Sequence, residues 1–596
     1  MASPSVLIIG GGIGGLTAAH ELIERGFSVD IYETRPAWGG KARSQMVTGT
    51  GTNGRRDLPG EHGFRFYPRF YKHVVDTMAR IPSPHGSTVE SHLQPTTEAA
   101  IAMIDSSGWY RFDRKKIDTP YQLIDVLEIF FQDLEIDAED AAIFGARFLE
   151  FASACDERRL AEYEGKSWWE FLDAAECSPT FQRLLKSIPR MMVAMDPKTG
   201  SARTIGSTSL QIMMDFAETG SHNDRTMGGP TTLMWLEPWT TYLAGQGVTF
   251  HAGTRVTSLE VAGGKLAGVQ LAGGGTATAD YYVLAVPIDA AIDLITPALG
   301  ALDPALDTLR QQSAASLVDW MTGIQYYLYE DVQIVRGHVF YPDSPWALTS
   351  ISQPQFWRGL GLFRKQFGDG EVGGVLSVDI SEWDVPGVLH AKPAKQCTRD
   401  EIAAEVWHQL KQAINDPDDQ TLTDDLLKAW HLDDDLDYSA GLPPTNSSRL
   451  LVHPPGSWAI RPDAGTAVPN LALASDYVRT YTNIATMEGA NEGGRRAANA
   501  ILDRAGYAPA DRAQLWPLVE PAELAGMRRF DKWLFDHGHR HIFEILGVRT
   551  FVRAAEVARK LEAIVGLTTF EHFLDRFKVT SLIKTILEKL GLPPAS

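Results

Sequence analysis

An α/β fold is predicted for this 596-residue chain, on three observations. The N-terminus reads strand, glycine turn, helix, strand. Strand-like alternation returns in mid-chain behind a block of long amphipathic segments. The residues from 508 to the end read as helix throughout. The length exceeds what one hydrophobic core supports, so two or three domains are expected.

The strand Val6–Ile9 is a short, wholly apolar run ending in Gly10. In "IGGLTAAHELIERG", Leu16, Ala19, Leu22 and Ile23 recur at helical spacing. Gly26 closes that helix, and "SVDIYE" forms a second strand ending in Glu33. Residues 1–115 are therefore the first part of a nucleotide-type domain. Residues 116–220 are helical, with segments such as "YQLIDVLEIFFQDL" and "AAIFGARFLEFASA". Residues 221–295 return to strands in "VTFHAGTRVTSLEVAGGKLAGVQLAGG" and "ADYYVLAVP", where Gly263–Gly264 and Gly273–Gly275 are hairpin turns because strands follow them. Residues 296–450 form a sheet-based domain rich in aromatics, 451–507 close the first domain, and 508–596 are a helical C-terminal extension.

Composition excludes several functions. A net charge of −20 repels phosphate backbones, so nucleic acid is not an expected partner. Cys155, Cys177 and Cys397 are too scattered for a disulfide framework or a zinc site, which fits a reducing cytoplasm. The start "VLIIGGGIGGL" lacks the basic flank of an export signal, and no run reaches the ~20 apolar residues of a spanning helix. Membrane contact would be peripheral at most.

Gly10, Gly12 and Gly15 match G-x-G-x-x-G between a strand and a helix, with an acid, Glu33, about 20 residues further on. The first glycine permits the tight turn, the second admits a pyrophosphate to the backbone, and the third lets helix and strand pack closely. Glu33 would accept hydrogen bonds from an adenosine ribose. The domain is of Rossmann type.

The following "ETRPAWGGKARS" adds Gly39, Gly40, Lys41 and Arg43 beside the expected diphosphate. Here the chain resembles the FAD-binding amine oxidase and phytoene desaturase superfamily, and the resemblance implies FAD. "GEHGFRFYPRFY" looks like that family's second loop, which implies that Gly63 and Phe64 run close to the flavin. "GTRVTSLEV" resembles the strand at the adenine end, with Val256 the matched position. "NLALASDYVRTYTNIATMEGANEGGRRAANAIL" looks like the closing motif, with Ser475 where the family usually has glycine. By this resemblance Asp476 holds the ribityl or phosphate portion. Thr486 caps a helix whose first N–H groups, on Met487, Glu488 and Gly489, would meet the flavin N1 and O2 edge. For His62, Arg65 and Tyr67 two readings stay open: catalysis at the flavin, or support of the phosphates and the loop.

Other features have plainer readings. His537, His539 and His541 fit no usual zinc spacing, so no metal is expected. Trp168, Trp169, Trp320, Tyr326, Tyr327, Trp346, Phe356, Trp357 and Trp383 are individually core candidates, and together suggest a hydrophobic tunnel. Leu582, Ile583, Ile586, Leu587 and Leu590 stripe a helix suited to docking on the protein itself.

The resemblance implies an FAD-dependent oxidoreductase transferring hydride between flavin and a large hydrophobic polyene. That covers carotenoid-type desaturation and redox cyclisation of a polyene polyketide or tetramate macrolactam. The alternatives are a flavin amine oxidase and a non-redox FAD-containing isomerase or binding protein.

Overall fold

The computed structural model describes residues 3–546 except 64–65, 106–108, 114–137, 194, 218–223, 417 and 419. The C-terminal stripe Leu582–Leu590 and the expected site residues Phe64 and Arg65 lie outside the described residues.

Five parallel strands form the first sheet, in the order Thr249–His251, Ser28–Tyr32, Ser5–Ile9, Tyr281–Leu284, Leu471–Leu473. Val6, Leu7, Ile8 and Ile9 are each no more than 3% exposed. A parallel strand covered on both faces is apolar at every position for this reason, and each such side chain contributes roughly 2 kcal/mol. Ile8 is registered against Ile31 on one side and, across 275 residues of sequence (283 − 8), against Val283 on the other. Segments from both ends of the chain therefore build one domain.

The helices Ile13–Ile23 and Met487–Arg504 pack closely over this sheet. The small-residue face explains the closeness, since a Cβ on Gly494 would lie 2.4 Å from the Gly14 carbonyl oxygen. Asn491 donates to Thr17 Oγ1 and Thr77 Oγ1 at 2.9 and 3.0 Å across the seam.

A second sheet of seven strands runs in the order Leu427–Leu432, Thr322–Leu328, Gly374–Ile380, Thr349–Ser352, Gly337–Phe340, Glu98–Ala102, Trp109–Asp113. The last two strands correct the expected boundary at residue 115, because Glu98–Ala102 pairs with Gly337–Phe340 and belongs to this sheet. Local alternation gave no hint of that partner, which comes from more than 200 residues downstream.

Helices from Ala138–Ser153 to Ala202–Ala217 form a separate apolar cluster around Phe151, Trp168 and Phe171. The extension helix Ala525–Asp536 docks on this cluster's edge through a buried pair, Arg158 Nε to Asp531 Oδ1 at 2.9 Å. No described helix is long and apolar enough to cross a membrane.

Candidate active site

A cavity of about 640 Å³ lies between the two sheets, within the usual range for a small-molecule site. Gly10, Gly12 and Gly14 open the first turn of the helix onto it. Gly10 has φ +107°, and a Cβ there would lie 2.4 Å from Ala285 O, so the turn is closed to any side chain. Gly15 does not line the cavity; its Cβ would meet Gly10 O at 2.0 Å, which is the close helix–strand packing expected of the third glycine.

The second glycine pair is pinned to the first turn. Gly39 N–H donates to Gly11 O at 2.8 Å, and Gly12 and Gly39 form a parallel bridge. Glu33 lines the cavity and accepts from Gly11 N and Arg35 N, both at 2.8 Å, which fixes its carboxylate at the end of the strand. Lys41 stands on the wall and donates to Arg449 O. Burial pulls its ammonium below the ordinary lysine value, while Asp476 and Asp289 pull it back up. A desolvated cation beside an open helix N-terminus fits the diphosphate of a dinucleotide. Val256 and Asp476 line the same cavity, so the residues present fit FAD.

Arg43 is a correction. It does not reach the cavity; its guanidinium bonds Gly40 O at 2.9 Å and Asp435 at 2.7 Å, and so braces the loop from behind. The closing helix brings two more. Thr486 and Met487 line the cavity, whereas Glu488 and Gly489 do not. Gly489 N–H is taken by the Thr486 hydroxyl at 3.1 Å, the N-cap bond itself. The Glu488 carboxylate turns away, accepting from the backbone N–H of Lys72, His73 and Val74 at 2.8 Å each, and caps the helix His73–Ala79. Gly489 is needed for packing, since a Cβ there would lie 2.5 Å from Ile484 O.

Ser475 adopts φ +116°, the conformation that favours glycine. Its carbonyl oxygen lies 2.4 Å from where a Cβ on Gly493 would be, so the chain accepts strain here to keep the close approach. Arg461, absent from the sequence-based candidates, braces this turn by donating to the carbonyls of Asp476, Tyr477 and Val478.

The other half of the cavity is lined by Phe66, Tyr71, Met191, Met321 and Phe340, with His62, Gly63, His338 and Asp379 among them. Tyr67, an expected catalytic residue, is fully buried beside Trp235, with its hydroxyl 3.9 Å from Met487 Sδ. It packs the loop and does not line the cavity. None of the nine aromatics proposed for a tunnel lines it either. Most are core: Tyr326 and Trp346, for example, are 0% exposed. Tyr326 and Tyr327, neighbours on one strand, point to opposite faces and join two different apolar clusters. His62 does line it, and its Nδ1 lies 2.5 Å from Asp433 Oδ2. Asp433 and Asp379 were missed because acids at strand ends resemble ordinary surface charge.

Of the expected histidine trio, His541 is buried against Ser153 at 3.3 Å, while His537 is exposed and contacts Trp533 O. The His541 ring serves the docking of the extension, and the His537 ring stacks on Trp533 of its own helix.

A parallel sheet with a glycine cradle at its C-terminal edge, joined to a large mixed sheet over one deep cavity, defines a flavin-dependent oxidoreductase. More narrowly, the chain belongs to the flavin containing amine oxidoreductase family, whose model matches residues 13–502. It is an FAD-dependent oxidoreductase. It is similar to the hydroxysqualene dehydroxylase of Rhodopseudomonas palustris, 25% identical over 84% of this chain and 99% of that protein. It is likewise similar to a probable zeta-carotene desaturase of Synechococcus elongatus, at 24% identity over 84% and 98%. Among solved structures, cyclohexylamine oxidase from Brevibacterium oxydans superposes with a TM-score of 0.56 at 16% identity, covering 84% of this chain and 99% of that one, and this likeness concerns the fold.

Proposed function

We propose that this enzyme transfers hydride between flavin and a long, largely hydrocarbon polyene, by carotenoid-type desaturation or redox cyclisation. The observation that carries the reading is the composition of the cavity beyond the dinucleotide cradle, where Phe66, Met191, Met321 and Phe340 form an apolar wall. Such side chains bury hydrocarbon and exclude water, and flexible methionines adapt to an extended chain. The bound FAD supplies the hydride chemistry. Lys41 and the first turn after Gly12 hold its diphosphate, Glu33 its ribose, and Asp476 the middle of the molecule. Thr486 fixes the helix that begins at Met487 so that its N-terminal end favours negative charge at the flavin edge. The relatives named for hydroxysqualene and zeta-carotene support a substrate of this kind.

The test is anaerobic mixing of the FAD-loaded protein with ζ-carotene or hydroxysqualene in detergent, followed by the visible flavin spectrum and product mass. With ζ-carotene, bleaching of oxidised flavin with loss of two hydrogens from the polyene is expected; with hydroxysqualene, reoxidation of the reduced protein with loss of the hydroxyl is expected. If neither polyene bleaches the flavin or is altered by the reduced protein, and cyclohexylamine does bleach it, the substrate is an amine and the polyene reading is wrong.

A further inference from the structure

The run Asp433-Asp434-Asp435 follows the edge strand Leu427–Leu432 and resembles solvated surface charge. Only its middle member is: the Asp434 side chain is 61% exposed, whereas that of Asp433 is 0%. The Asp433 carboxylate is shared among three donors from three places. His62 Nδ1 lies at 2.5 Å, Gln45 Nε2 at 2.6 Å and Asp435 N–H at 2.8 Å. Burial pushes this acid up, but His62 and the other donors outweigh burial and hold it far below the usual carboxylate range.

An ionised carboxylate only accepts, so His62 Nδ1 carries the proton. That leaves Nε2 as the basic atom of the ring, and Nε2 is buried with no hydrogen-bond partner among the described residues. The backbone leading to it is locked. Gln325 pairs with both the N–H and the C=O of Glu61, at 3.0 and 2.9 Å. The Glu61 side chain accepts from Thr231 N at 2.9 Å and Ser44 Oγ at 2.7 Å. A histidine on the cavity wall, fixed in one tautomer by a buried acid, is the arrangement that general bases use.

A metal is the competing occupant, because ligand atoms of His62, Asp433 and Asp435 lie within 4.8 Å of one another. Asp435 is already bound by Arg43 at 2.7 Å, Arg35 at 3.3 Å and Ser448 at 2.5 Å. Two guanidinium groups beside the site repel a cation and leave the proton as its charge carrier.

We propose that Asp433 is a positioning residue that makes His62 Nε2 the proton acceptor of this active site. The inference rests on the polyene reading for its substrate. In a desaturation the substrate would lose a hydride from one carbon, with bound FAD as the two-electron oxidant. The C–H bond on the neighbouring carbon breaks, its proton goes to Nε2, and its electron pair closes the new double bond. The resulting imidazolium is held by Asp433 until the proton leaves with product exchange.

Among the described residues, the charged and titratable groups around His62 are Asp433 and Asp435 from the acidic loop, His431 behind Gly60, Glu61 at the end of the preceding strand, and Asp379 against Gly63. All but one stay constant when Asp433→Asn is compared with wild type, so the difference isolates the pair. The experiment is ¹⁵N-histidine NMR of the FAD-loaded protein, with His62→Gln assigning the signal among 16 histidines. One Nδ1–H resonance shifted downfield is expected, lost in Asp433→Asn and regained in part in Asp433→Glu. In flavin reduction by ζ-carotene, the rate rises with pH through one ionisation. Asp433→Asn moves that limb to lower pH and lowers the plateau about 10- to 100-fold. An unchanged resonance in a folded Asp433→Asn protein, judged by circular dichroism, overturns the proposal. So does a wild-type pH profile in His62→Gln. If the flavin stays oxidised with ζ-carotene while the pairing holds by NMR, the substrate reading fails and the assignment of Nε2 as the site's base stands.

Discussion

Residue by residue, the cradle shows which positions answer to a ligand and which to packing. Gly10, Gly12, Glu33 and Lys41 face the cavity, while Gly15 and Gly489 only let backbones meet. Ser475 carries the clearest cost. An L-residue held at φ +116° costs about 1–3 kcal/mol. Glycine relieves it but brings more unfolded-chain entropy, about 0.5–1 kcal/mol. Ser475→Gly is therefore expected to raise stability by roughly 1 kcal/mol, read as a higher melting temperature with FAD content unchanged; a lower melting temperature would show that the Ser475 Oγ bond to Asp476 at 3.0 Å matters more than the strain. The glycine motif was legible because each of its positions has a local steric reason. Asp433 was not, because its partners His62 and Gln45 are about 370 and 390 residues away in sequence.

Among the elements, the closing helix was read correctly in position and N-cap, since Thr486 does begin it, but its first turn is used differently from expectation. Glu488 serves a neighbouring helix, a choice that depends on the tertiary placement of His73–Ala79. The extension helix Ala525–Asp536 and the following segment carry a pH dependence. His541 accepts from Phe543 N–H on Nδ1 and faces the Ser153 hydroxyl with Nε2, the pattern of a neutral ring. Burial lowers its pKa from 6.5 to about 4, Asp531 opposing and Arg158 assisting. The unfolded chain takes up this proton near 6.5 and the folded chain only near 4, so stability falls as pH drops through that window and levels off below it. The loss is on the order of 3 kcal/mol, and buried His453 adds to it in the same direction. Thermal melts from pH 7 to 4 should flatten in His541→Asn; an unchanged slope would assign the acid sensitivity elsewhere.

The whole molecule is one cofactor site assembled from both ends of the chain. The nucleotide half was legible because a dinucleotide demands a contiguous glycine turn, an acid and a closing helix. The substrate half was not, because its wall is drawn from single residues such as Phe66, Met191, Met321 and Phe340 in four separate stretches of the chain. Aromatic density in the sequence pointed to the core of the second sheet instead. The most direct check of the assembled cradle is a titration of FAD onto deflavinated protein, comparing wild type with Lys41→Met. One equivalent of FAD is expected per chain, with the variant binding roughly 10- to 100-fold more weakly, the worth of a hydrogen bond to a charged group. Equal affinity in a folded Lys41→Met protein, or no stoichiometric binding in the wild type, would contradict a diphosphate held where the Gly10–Gly15 turn and Asp476 converge.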